Sequence, residues 1–174
     1  MRIMKFLVPS MLTLAIALAV SLSSPSAASA SQIQKPSPAQ LATQVADFRA
    51  DQNSLIDSYV RTYGSRFTST ERAEITKAQR QANQSLVSLQ RSLSKVDRFS
   101  KAGASKKKIN AATITAQRAY ERAQASAETT QKSLEPILRN RLSLFESLSA
   151  YRDYSDSMAR FTEIGTKINE MVSR

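Results

Sequence analysis

Leu144, Tyr151, Met158, Gly165 and Val172 fall seven residues apart, and Tyr154, Phe161 and Ile168 form a second seven-residue series offset by three. Apolar residues at this spacing keep to one side of an α-helix, and that side must be covered by other helices. The stretch from Ile137 to Val172 therefore reads as one inner helical stripe. Only three glycines occur in the chain, while Ala, Gln, Ser, Lys and Arg abound. Such a composition favours helix and surface over strands and turns. The expectation is an all-α, elongated up-down helical bundle in a single domain spanning residues 37–174.

The chain opens differently. Arg2 and Lys5 precede an apolar run from Phe6 to Val20, and small residues lead to Ala28-Ser29-Ala30. A basic start, a short apolar middle and an Ala-x-Ala end make a secretory signal peptide over residues 1–30. Pro9, Ser10 and Thr13 interrupt a run already short of the ~20 residues that span a bilayer, so an uncleaved anchor fits less well. Cleavage near Ala30 removes Arg2 and Lys5 from a total charge of +11 and leaves +9. The product is expected outside the inner membrane, secreted or periplasmic, in the cell envelope of a bacterium. Residues 31–36 carry no periodicity and read as a disordered lead.

Ser37-Pro38-Ala39-Gln40 has the form of a helix start, with Ser37 as N-cap, Pro38 at the first position and Gln40 closing a capping box. Leu41, Val45, Phe48, Leu55, Tyr59 and Tyr63 then continue at helical steps. Gly64 reads as a left-handed stop, and Gln52 as a polar contact in the seam. Thr68 with Glu71, or Thr70 alone, caps a second helix carrying Ile75, Ala82, Leu86, Leu89, Leu93 and Val96. Lys101 to Lys108 reads as a Gly/Ser/Lys connector. The third helix has a stripe of small residues, Ile109, Ala112, Ala116, Ala119, Ala123 and Ala127, which bury little area each.

Pro136 is the awkward point, because a proline either kinks a helix or opens a new one. A turn near Ser133 to Pro136 makes four helices, and a kink there makes three. A third arrangement keeps one long helix and covers it with a second subunit, a homo-oligomer. Acid-before-base pairs four residues apart, Asp57/Arg61, Glu128/Lys132, Glu135/Arg139, Asp156/Arg160 and Glu163/Lys167, support helix throughout.

The chain has no cysteine and no histidine. Triads built on His or Cys, thiolate metal sites and His-ligated zinc are therefore excluded, as is any disulfide framework. Gly64, Gly103 and Gly165 are too scattered for a phosphate loop. Asp153 and Asp156 are the densest carboxylate pair, read as a solvated face rather than as an acid/base pair. Tyr59, Tyr63, Tyr151 and Tyr154 lie on the apolar stripes, where core residues sit, although an exported tyrosinate can ligate haem iron. No catalytic, cofactor-binding or metal-ligating residue is expected, and no enzyme.

One local signal is electrostatic. Lys95, Arg98, Lys101, Lys106, Lys107 and Lys108 face a single Asp97, a net +5 at one tip of the bundle. Such a tip attracts anionic lipid headgroups, wall polymers or acidic protein surfaces. Without interleaved aromatics it lacks the stacking platform of a specific nucleic-acid site. The function expected is contact in the envelope or outside the cell through this tip. The alternatives are a periplasmic-type holdase, suggested by the alanine-rich third helix, and a membrane-active secreted protein similar to a co-lysin.

Overall fold

A computed structural model describes residues 36–172, which form four helices: α1 (Pro38–Tyr63), α2 (Ser69–Lys101), α3 (Lys106–Arg141) and α4 (Leu144–Val172). The signal peptide expected over residues 1–30 lies outside the described residues, as does all of the expected lead except Pro36. α1 packs on α2, α2 on α3, α3 on α4, and α4 returns to α1. Short links make each neighbouring pair antiparallel, so the fold is an up-down four-helix bundle. The α2–α3 link lies at one end, and the α1–α2 and α3–α4 links at the other. Among the described residues no helix is long and apolar enough to cross a membrane.

Three of the four helices begin with the same local device. The backbone N–H of Gln40 donates to Ser37 Oγ while Ser37 N–H donates to Gln40 Oε1. Thr68 and Glu71 exchange the equivalent pair, and so do Ser143 and Glu146. Each box satisfies two backbone donors that a helix start otherwise leaves open.

The third box corrects the position of the last turn. The chain does not reverse at Ser133 to Pro136; α3 runs through Pro136 to Arg141, and the reversal is at Leu142-Ser143. A proline inside a helix removes one backbone hydrogen bond, but Leu134, Ile137 and Leu138 around it pack against Phe67 and Ile75 and hold the helix in place. Gly64 is a second correction. Its φ of −59° is right-handed and opens a 3-10 turn, Gly64–Arg66, instead of stopping the helix in the left-handed region.

The main core fills the half of the bundle nearer the α2–α3 link, from Leu41, Val45 and Phe48 of α1 through Leu89 and Leu93 to Phe161 and Ile168. The alanine stripe of α3 is buried there. Its exception is Tyr120, 7% exposed, whose ring centroid lies 5.0 Å from that of Phe161, itself stacked on Phe48 at 4.8 Å. Tyr120 reaches this position because Gly165 has no side chain; a Cβ there would overlap the tyrosine ring. Gly165 is thus a close-packing residue.

The stripe of α4 is not inner along its whole length. Phe161 and Ile168 are buried, whereas Leu144 is 73% and Tyr151 42% exposed. Gln52 meets the buried Ser157 hydroxyl. Of the five local ion pairs, Glu135–Arg139 forms at 2.8 Å, while Arg160 reaches across to Asp51 at 2.9 Å and Asp156 lies 3.9 Å from Arg152. Arg160 thus takes a partner on α1 in place of Asp156, and Asp156 faces its neighbour one turn back on α4.

Two ion pairs clasp the α3–α4 end: Arg66 with Glu146 at 2.7 Å and Arg141 with Glu71 at 2.9 Å. The Arg66 guanidinium, followed by the Ser143 backbone N–H, holds the Glu146 carboxyl down from its ordinary 4.5 to about 2. Glu71 is lowered by the Thr68 backbone N–H and then by Arg141. Carboxylates depressed by folding stabilise above their unfolded pKa, and that contribution is lost as pH falls through the folded value. The melting temperature should therefore drop between pH 4.5 and about 2, and Glu146→Gln should flatten that drop. Thermal melts across this range, with and without added salt, provide the check.

Candidate anion-binding face

Lys95, Arg98 and Lys101 come from the last two turns of α2, and Lys106, Lys107 and Lys108 form the first turn of α3. All six are exposed at one end of the bundle, as expected. They are not on a connector, however. Only Ala102–Ser105 links the helices, because Gly103 turns the chain at φ +62° while the Ala104 N–H donates to the Phe99 carbonyl and the Gly103 N–H to that of Ser100. Glycine adopts this left-handed conformation without the steric penalty other residues meet.

Within the cluster, Lys101 pairs with Asp97 at 2.8 Å. The Lys108 and Lys95 ammonium groups lie 4.8 and 5.6 Å from the centroid of one ring, that of Phe99. Attraction to the ring face gathers two cations that would otherwise repel each other. The start of α3 is also unlike the others. Ser105 makes no side-chain cap, and Lys108 stands where the other boxes place Gln40, Glu71 and Glu146. Three lysines at the positive end of a helix dipole work against stability.

The cationic surface extends beyond these six residues, and the wider extent is legible in the sequence as a lack of acids. From Ile75 to Tyr120 there are ten Lys and Arg against the single Asp97, a net +9. The rest of the chain from Ser31 on has thirteen of each sign. Folding turns this segment into one antiparallel hairpin. Arg80, Arg91 and Lys95 line an open groove of about 790 Å³ with Ser88, Ser92 and Thr115, and Arg122 lines a neighbouring one with Ser126 and Thr129. Neither groove is lined by an acid. From Thr76 to Lys95 the first runs about 28 Å along α2, at 1.5 Å per residue.

The other candidate groups are engaged structurally. Asp153 is half-buried and accepts from the Tyr59 hydroxyl at 2.8 Å, so it does not share a solvated face with the exposed Asp156. Burial, and then that hydrogen bond, push the Tyr59 phenol up to about 12; burial pushes Tyr154 up to about 12 as well. Both shifts oppose the tyrosinate that haem ligation needs. None of Tyr59, Tyr63, Tyr151 and Tyr154 is fully buried; the core tyrosine is Tyr120. Among the described residues no group of three or more acidic side chains is placed to hold a metal ion. No known protein family, curated protein or solved structure matches the chain.

Proposed function

We propose that this protein is an exported, non-enzymatic helical bundle that works by contact, holding a linear polyanion of the cell envelope, such as a phosphate-bearing wall polymer, along its α2–α3 face. The observation behind this reading is the segregation of charge: the whole +9 excess lies between Ile75 and Tyr120. Cations that serve solubility alone are interspersed with acids over a surface. Here three of them, Arg80, Arg91 and Lys95, line one groove whose other side chains are serine, threonine, asparagine and glutamine with a single valine, Val87. Such a groove offers charge and hydrogen bonds but no stacking platform, which suits a polymer recognised by its backbone. Export rests on the leader ending at Ala30, and predicts a mature N-terminus at Ser31.

Lys108→Glu separates this role from a merely solvated tip. The change completes a capping box with Ser105 and places an acid at the helix start, which should stabilise the fold by about 0.5–1 kcal/mol. It also reverses one charge in the face, and at about 1 kcal/mol per charge near an anionic partner this weakens low-salt binding roughly thirtyfold. Titration with inorganic polyphosphate beside a thermal melt measures both. A protein that becomes more stable and still binds polyphosphate as before would exclude the α2–α3 face as the contact.

A further inference from the structure

The end of the bundle away from the lysines is packed differently, and side-chain size is the cause. Near the α2–α3 link, Phe48, Tyr120 and Phe161 fill the space between helices; nearer the other end, from Leu144 to Asp156, the only fully buried residue of α4 is the small Ala150. The core accordingly divides into the main cluster and a small one built on Phe67, Ile75 and Ile137. In this loosely filled half lies a cavity of about 100 Å³. Leu55 and Ile56 of α1, Leu134 and Leu138 of α3, and Ala150 and Tyr151 of α4 form its walls.

The polar groups around the cavity are turned to partners. The Tyr59 hydroxyl donates to Asp153 at 2.8 Å, the Tyr154 hydroxyl to the Ala127 carbonyl at 3.1 Å, and Gln131 Nε2 to the Tyr151 hydroxyl at 3.1 Å. A space with so little polar lining favours hydrocarbon over water. Tyr151, which walls the cavity, is itself 42% exposed, and Leu148 and Leu144 precede it on the same stripe at 59% and 73%. Phe145 beside them is 84% exposed. An apolar track about 10 Å long, at 1.5 Å per residue, therefore leads along α4 to the cavity wall. Soluble surfaces seldom carry such a track without a use for it.

We propose that the track and cavity form a binding site for one hydrocarbon chain, the tail of a free single-chain amphiphile such as a fatty acid, with its end in the cavity and the rest along Leu148 and Leu144. A second copy of the protein could cover the track, but a helix is too thick to enter a space that reaches Ile75 on the far side of the bundle. A bilayer is disfavoured by charge. Glu71, Glu135 and Glu146 at this end are each matched by an arginine, Arg141, Arg139 and Arg66, and the stretch of α4 that carries the track, from Leu144 to Asp156, has Glu146, Asp153 and Asp156 against Arg152. This site is independent of the polyanion face.

Calorimetric titration of the purified protein with laurate and with uncharged dodecyl maltoside, both below micelle formation, tests the proposal. Saturable one-to-one binding of both is expected, since the chain and not the headgroup is held. Ala150→Leu fills the cavity and should abolish binding while raising the melting temperature. Leu148→Asp, an exposed change that leaves the core intact, should weaken binding at least tenfold. The proposal is overturned by the absence of saturable laurate binding, or by undiminished binding in Leu148→Asp. Two further results would overturn it by identifying another occupant: a ligand-free dimer in light scattering that Leu148→Asp dissociates, or flotation with phosphatidylcholine vesicles that the same change abolishes.

Discussion

Phe161→Ala is expected to destabilise the bundle by about 3–5 kcal/mol, a large share of the roughly 5–15 kcal/mol available to a domain. Phe161 is 1% exposed and sits between Phe48 at 4.8 Å and Tyr120 at 5.0 Å, ring centroid to centroid. It thereby joins α1, α3 and α4 at one point. Truncation removes the ring's burial, leaves a cavity that three helices cannot close, and ends two aromatic contacts worth about 0.5–1.5 kcal/mol each. Leu148→Ala on the same helix should change stability by less than about 0.5 kcal/mol, because that residue is 59% exposed. Urea denaturation followed by circular dichroism separates the two. A loss below about 1 kcal/mol for Phe161→Ala would mean that the helices are joined elsewhere.

Replacing Lys101, Lys106, Lys107 and Lys108 together with Gln should lower low-salt affinity for polyphosphate by about 4 kcal/mol, near a thousandfold, at about 1 kcal/mol per charge. The loss should shrink as salt rises, since the Debye length falls from ~30 Å at 0.01 M to ~8 Å at physiological strength. The slope of log affinity against log salt should flatten as well, with fewer counterions released. Stability should hold or rise slightly, because the four side chains are exposed and three of them oppose a helix dipole. Retention on a polyphosphate matrix across a salt series reads the effect. Overlapping curves for the two proteins would reduce the cluster to a solvated end.

Local rules made much of this protein legible from its sequence. The boxes at Ser37/Gln40 and Thr68/Glu71 are complete within four residues, so no tertiary contact is needed to see them. Ser143 and Glu146 form a box of the same kind, equally complete within four residues. The cationic hairpin was legible too, because charge segregation along a chain becomes segregation in space once two consecutive helices pair. Its full extent lay in the missing acids between Glu74 and Glu121, which a search for runs of lysine does not weigh.

Which half of a stripe is buried could not be read in this way. Tyr151 and Met158 occupy equivalent seven-residue positions, and so do Tyr154 and Phe161, yet burial differs along each series. The spacing states only which side of a helix is apolar; how closely the neighbours approach it depends on the sizes of side chains from other helices. Gly165 admits Tyr120 beside Phe161, whereas the small Ala150 lines a cavity next to an exposed strip. Those pairings join residues far apart in the chain. The sequence alone determined an all-α chain with three capped helix starts and one charged hairpin, because the causes act within a few residues; the tertiary structure decided where the helices close and where they stay open, because packing is a property of several helices at once.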